Sequence, residues 1–228
     1  MQLFCLHLPT TSGASPRMNI AALRELIDSA LQHEASHGTL AADLVRRSDS
    51  LHRSIRLPAD DAPGALLRFV QAYLDEVPAL LEAAASVASE AGIDAQVKPV
   101  LRIAEAFFLS PPALLEGHEG LEALLDEAYL AHRLIEEVND RYIAHFGQPL
   151  IPLDTTVANL VAHQLIGEPF ANQLDAVVLH ACESLLDARI FSSDSASRYR
   201  QQLPRLEAAW QRWPCLSQRL GIELQLAQ

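Results

Sequence analysis

Five side chains in the second half of the chain carry ligand atoms that transition metals prefer. Three are histidines and two are glutamates: His132, Glu136, His163, His180 and Glu183. His132 and Glu136 are four residues apart, and His180 and Glu183 are three apart, so each pair would share one side of a helix. Imidazole and carboxylate groups together suit iron, manganese or zinc. The pattern predicts a candidate metal site if helices bring the five side chains together.

The same five residues also have an ordinary structural interpretation. A histidine beside an apolar helical stripe is usually packed in the core and hydrogen-bonded. Carboxylate-bridged di-metal bundles carry Glu-x-x-His pairs. Here the residues three positions before the three histidines are Tyr129, Leu160 and Val177. Structural or ligand-pocket histidines are therefore the preferred interpretation, and a site for iron or manganese is the alternative.

Four polar side chains on the same segments are typical of residues that line a small-molecule pocket. They are a phenol and three amides: Tyr129, Asn139, Asn159 and Gln173. A few such groups fix the orientation of a ligand in a mostly apolar pocket. Buried structural hydrogen bonds are their more frequent use. We treat the four as candidate pocket residues.

A second candidate metal motif lies nearer the N-terminus, where His33-Glu34-Ala35-Ser36-His37 fits the pattern H-E-x-x-H. In zinc hydrolases of this type the two histidines bind zinc and the glutamate polarises water. Here Gly38 predicts that the helix ends at the second histidine, and no recognisable third ligand follows. Exposed histidines at a helix end are the preferred interpretation, and a zinc site at His33 and His37 is less favoured.

Three consecutive helical segments must position the central candidates, at about residues 120–146, 155–166 and 169–189. In the first segment apolar residues recur at spacings of three, four and seven, which predicts one core-facing side. Gly147 and Pro149 end it, and Pro169 suits the first turn of the third segment. Because the connections are short, we expect the three helices to be neighbours, largely antiparallel, around one interior.

The remainder of the sequence favours the same fold class. Ala, Leu, Glu and Arg are abundant, and convincing alternation of β-branched residues is missing. We predict an all-α, single-domain bundle of about 8–11 helices over residues 17–228, with no significant β-sheet and an irregular arm at residues 1–16. Among the other helices, one is expected from Pro16 to His37 and one from Thr39 to Ile55.

Charge and composition restrict the partners. The 228-residue chain has a net charge of −12, which argues against nucleic acid and against an anionic membrane. No uninterrupted apolar stretch approaches the length of a transmembrane helix. The cysteines, Cys5, Cys182 and Cys215, form no Cys-x-x-Cys pair, and the N-terminus lacks the basic region of a signal peptide. These features predict a soluble cytoplasmic protein, and the near absence of lysine fits a high-GC bacterium.

The sequence leaves three functional hypotheses. Signatures of a nucleophile elbow, a P-loop or a dinucleotide site are missing, so the first hypothesis is a module without catalytic activity. It would bind a small ligand or a protein partner, with a homodimer as one form. The alternative is an iron- or manganese-dependent oxidoreductase housed in the bundle. An H-E-x-x-H zinc hydrolase ranks third.

Overall fold

The protein is an all-α bundle, shown by a computed structural model that describes residues 18–48, 51–52, 55–58, 60–151, 155–186, 191, 199–202, 204 and 223–224. Seven α-helices have both ends in this part of the chain: α1 (Ile20–His37), α2 (Thr39–Arg47), α3 (Ala62–Ala91), α4 (Asp94–Leu109), α5 (Gly120–Phe146), α6 (Thr156–Ile166) and α7 (Glu168–Leu185). A 3-10 turn, Ala113–Leu115, lies between α4 and α5. A two-residue antiparallel pair joins β1 (Ile55–Arg56) to β2 (Glu223–Leu224).

Local signals explain where several helices begin and end. Asn19 accepts a hydrogen bond from the backbone N–H of Ala22 and caps α1, and Asp61 caps α3 in the same way through Gly64. These side chains satisfy donors that have no partner inside the helix. Gly38 separates α1 from α2 at φ 62°, a left-handed conformation that glycine adopts without steric cost.

The central helix of the bundle is α5. It packs against α1, α3, α4, α6 and α7, and every residue from Ala123 to His132 is buried. The core around it contains apolar side chains from all seven helices. Burying about 25 cal/mol per Å² of apolar surface is the main driving force for such an arrangement. A helix surrounded in this way also has to bury polar residues, and α5 does so repeatedly.

The three central helices alternate in direction, as the short connections between them predict. Asn159 of α6 bonds Glu136 late in α5, whereas the Leu165 carbonyl meets Arg47, which pairs with Glu122 early in α5, so α6 runs antiparallel to α5. In α7, Phe170 lies near the start of α5, and Asp175 bonds Arg133 further along. Helix α7 therefore runs parallel to α5.

Several predicted boundaries are corrected by the structure. Helix α1 begins at Ile20 rather than Pro16, because Asn19 provides the cap. Helix α2 ends at Arg47, and the predicted continuation to Ile55 is replaced by a short strand at that residue. The third central helix ends at Leu185 rather than near residue 189. The predicted arm at residues 1–16 and residues 187–189 lie outside the described residues.

Within the described ranges, no helix combines the length and the apolar character needed to cross a membrane.

Candidate functional site

The most extensive polar arrangement in the structure surrounds Arg133, at the centre of α5. Its Nε donates to Asp175 Oδ1 of α7 at 3.0 Å, and its Nη1 donates to Glu136 Oε2 one turn along α5 at 2.8 Å. The guanidinium group is therefore held between two carboxylates. Such charge-assisted bonds are stronger and more directional than neutral ones. Arg133 joins α5 to α7 at this level of the bundle.

Glu136 connects this group to the interior. Asn159 of α6 donates from Nδ2 to Glu136 Oε2 and also to Thr155 Oγ1, the latter at 3.0 Å. Its Oδ1 accepts from the hydroxyl of Tyr73 in α3 at 2.6 Å. Both Tyr73 and Asn159 are buried. A single amide thus uses both its oxygen and its nitrogen to link three helices, which fixes its orientation.

The other side of the arrangement is aromatic. Tyr129 donates its hydroxyl to Asp175 Oδ1 at 3.0 Å, and its ring meets the ring of His163 edge to face at 6.1 Å between centroids. His163 Nε2 lies 3.4 Å from Asn172 Oδ1 and 4.0 Å from Asp175 Oδ2. We call Tyr129, Arg133, Glu136, Asn159, His163 and Asp175 the Arg133 cluster.

The Arg133 cluster is partly open to solvent. The side chains of Arg133, Glu136, Asp175 and His163 keep 21%, 22%, 27% and 18% of their surface exposed. Three helices therefore present polar groups that a molecule in solution can reach. Those groups include hydrogen-bond donors, acceptors and two rings, which is the usual composition of the polar part of a ligand site.

The electrostatic environment of the cluster disfavours additional negative charge. Burial raises the pKa of Tyr129, and the Asp175 carboxylate raises it further. Burial lowers the pKa of Arg133, but Glu136 and Asp175 more than offset this effect and raise it overall, so Arg133 is charged. Burial, Glu136 and Glu137 raise the pKa of Asp140. Two carboxylates bonded to one guanidinium leave the cluster with excess negative charge.

A second polar group, which the sequence reasoning missed, lies at the start of α5. His118 Nδ1 and Asp126 Oδ2 are 2.8 Å apart. Burial raises the pKa of Asp126 to about 6 despite the opposing effect of His118. Burial and the neighbouring Asp126 raise the pKa of Glu127 to about 8. Adjacent acids in a helical pattern normally suggest a solvated side, and nothing in the sequence signalled that both are buried.

The five predicted metal ligands occupy different environments. His132 is fully buried, and its Nε2 bonds the Tyr73 carbonyl at 3.1 Å, while Glu136 and His163 belong to the Arg133 cluster. His180 and Glu183 are exposed on α7. In the described part of the chain, no group of three or more His, Cys, Asp or Glu side chains is arranged to hold a metal ion. The helical spacing was as expected, but the helices turn these side chains to different neighbours.

The H-E-x-x-H motif has a structural use in this fold. The carboxylate of Glu34 is buried and accepts hydrogen bonds from the backbone N–H groups of Leu40, at 3.0 Å, and Ala41, at 2.8 Å. It therefore caps the start of α2. His33 and His37 are exposed with their rings stacked at 4.0 Å, and His37 Nδ1 bonds the His33 carbonyl. Both oxygens of Glu34 are committed, so the glutamate is not available to polarise a zinc-bound water.

Two of the four predicted pocket residues belong to one site, and the other two lie elsewhere. Tyr129 and Asn159 meet in the Arg133 cluster. Asn139 is buried elsewhere on α5, where it exchanges two hydrogen bonds with the backbone of Ile151, at 2.5 and 2.9 Å. Gln173 is exposed and bonds the Pro169 carbonyl of its own helix. The cluster's central members, Arg133 and Asp175, were not predicted. The one available signal was that Arg133 lies four residues after Tyr129, on the same side of α5.

The chain matches no family model, no curated protein and no solved structure.

Proposed function

We propose that the protein is a binding module for a small molecule and that the ligand contacts the Arg133 cluster. The observation that carries the proposal is the meeting of polar side chains from three helices around one partly exposed guanidinium group. On the buried side of the cluster, the hydrogen bond from Tyr73 to Asn159 holds these groups in place. Preorganised polar groups of this kind bind with little loss of conformational entropy.

The unused hydrogen-bonding atoms indicate the chemical class of the ligand. Asp175 Oδ2 is 4.0 Å from His163 Nε2, which is beyond hydrogen-bond length. Glu136 receives its bonds on Oε2, so Oε1 accepts none from the described residues. Spare carboxylate oxygens and excess negative charge favour a ligand that brings N–H donors and positive charge, such as an amidine or an amine.

The one cysteine in the described part of the chain is not in a reactive state, which also supports a binding function. Cys182 of α7 is buried, and burial raises the pKa of its thiol to about 11. A thiol in that state is protonated at neutral pH, whereas the thiolate is the reactive form. Cys182 therefore serves as a small apolar core residue.

Calorimetric titration with benzamidine and putrescine, and with benzoate as the opposite charge class, tests the proposal. We expect saturable binding of at least one cationic probe and none of benzoate. Asp175→Asn should weaken that binding about tenfold or more, since one charge-assisted bond is worth roughly 1.5–3 kcal/mol. Gln173→Ala is the matched control, because this exposed α7 residue bonds only its own helix.

The proposal fails if no probe binds to the folded protein, or if Gln173→Ala weakens binding as much as Asp175→Asn does. Binding of benzoate instead of the cations would place the ligand on Arg133 and overturn the assigned charge class. Circular dichroism of each variant establishes that the helices are retained.

A further inference from the structure

The carboxyl groups of Asp126 and Glu127 lie outside the Arg133 cluster, near the start of α5. Both are almost fully buried, with 2% and 6% of each residue exposed. Asp126 has one bonding partner, the His118 ring from the connection between α4 and α5. Glu127 Oε2 is buried and has no hydrogen-bond partner among the described residues. Two adjacent acids in a poorly solvated position are unfavourable when both are ionised.

The surroundings supply little positive charge. Around Asp126, α2 contributes Arg47, α5 contributes Glu122, and the α4–α5 connection contributes His118. Arg47 is shared with Glu122 and with the Leu165 carbonyl of α6. The charged group that acts on Glu127 is Asp126 itself. Negative charge on either carboxyl group therefore disfavours negative charge on the other.

His118 connects Asp126 to the start of α7. Its ring contacts the ring of Phe170, in the first turn of α7, with centroids 4.9 Å apart. The imidazole thus lies between α5 and α7 and covers Asp126. Its side chain is 39% exposed, whereas that of Asp126 is 3% exposed. Displacing His118 would admit water to Asp126 and would remove its ring contact with Phe170.

We propose that His118, Asp126 and Glu127 form a proton-controlled contact that holds the α4–α5 connection and the first turn of α7 against α5. The contact is closed when the two carboxyl groups carry protons and opens as they ionise. The physical reason is linkage: the closed form buries the carboxyl groups and so binds protons more tightly than an open, solvated form. The raised pKa values of Asp126 and Glu127, about 6 and about 8, place the transition around neutral pH.

Hydrogen exchange of the full-length protein tests this inference. Peptides covering residues 111–130 and 167–175 are measured at about pH 6 and about pH 9 and corrected for the intrinsic exchange rate. We expect protection in both peptides to fall by about tenfold or more at the higher pH, since one proton released per opening changes the equilibrium tenfold per pH unit. In Asp126→Asn/Glu127→Gln the protection should be nearly independent of pH.

Glu183→Gln is the control, because Glu183 is an exposed acid of α7 that does not act on Asp126 or Glu127 and should leave the pH dependence intact. Unchanged protection of the wild-type protein across this range overturns the inference, and so does a full pH dependence in the double variant. If the double variant does not fold, NMR titration of the wild-type side-chain carboxyl groups decides instead. Transitions below about pH 5 for both groups would then contradict the proposal.

Discussion

His132 Nε2 donates a hydrogen bond to the backbone carbonyl of Tyr73, 3.1 Å away on α3, and its ring lies 4.2 Å from the Tyr73 ring. This contact lies five residues before Pro78, which is inside α3. Proline has no N–H, so the carbonyl four residues before it loses its helical partner, and the helix tends to bend there. From α5, His132 bonds the carbonyl immediately before that one and so stabilises α3 at this point. The most buried histidine of the predicted metal set is thus a packing residue of the core.

The first prediction concerns this hydrogen bond. His132→Leu keeps a side chain of similar bulk but removes the donor, and it should lower the free energy of unfolding by about 1–3 kcal/mol. Urea denaturation at neutral pH measures the change. His180→Leu replaces an exposed histidine on α7 and should shift stability by less than about 0.5 kcal/mol. Equal effects of the two substitutions would contradict the assigned role.

The second prediction is that the stability difference between wild type and His132→Leu depends on pH. Burial lowers the pKa of His132 in the wild-type protein to about 4 from 6.5. The folded state holds this histidine neutral, so the unfolded state binds a proton first as the pH falls. The contribution is fully present above about pH 6.5 and is lost as the pH falls towards 4. The stability difference between wild type and His132→Leu should therefore shrink with acidification. A difference that is constant from about pH 7 to pH 4 would refute this.

Asn139 provides the third prediction. It is 5% exposed, and its amide satisfies both the N–H and the carbonyl of Ile151 in the segment after α5. Asn139→Ala leaves two buried backbone groups without partners, and we expect a loss of about 2–4 kcal/mol. Thermal denaturation compares it with Asn172→Ala, at an exposed amide of α7. A loss no greater than that of the control would show that solvent replaces both bonds.

The fourth prediction separates the two uses of the H-E-x-x-H motif. Glu34→Ala removes the cap of α2 and should cost about 1 kcal/mol, whereas His33→Ala and His37→Ala should each cost much less. Elemental analysis of the purified protein should give no stoichiometric zinc in any of the four forms. Stoichiometric zinc that is lost in both histidine variants would restore the hydrolase hypothesis.

Glu127 gives the fifth prediction, on global stability. Its pKa is about 8 in the folded protein against an ordinary 4.5, so the folded state retains a proton that the unfolded state releases. The resulting stabilisation is complete below about pH 4.5 and is lost as the pH rises to 8. Glu127→Gln should thus be more stable than wild type by a few kcal/mol at about pH 9 and similar at about pH 5. If denaturant unfolding gives the same stability difference between Glu127→Gln and wild type at both pH values, the prediction is wrong.

The sequence by itself determined the fold class and most of the helices. Apolar spacing and terminal glycines located α5 within its observed bounds, Gly120–Phe146, because these signals act within a single helix. The sequence also identified Tyr129 and Asn159, two members of the Arg133 cluster. The strand at Ile55 was not foreseen, because β1 forms by pairing Ile55 with Leu224, far along the chain. Pairing over such a distance leaves no local pattern.

Only the tertiary structure decided which polar side chains meet. Helical spacing states on which side of its own helix a residue lies, but it does not state which neighbour packs there. His132 and Glu136 are four residues apart on α5, yet the first bonds the Tyr73 carbonyl of α3 and the second bonds Asn159 of α6. Glu34 became a helix cap because Gly38 turns the chain so that α2 begins beside it. The burial of Glu127 likewise depends on α5 being enclosed by other helices, which is a property of the whole bundle.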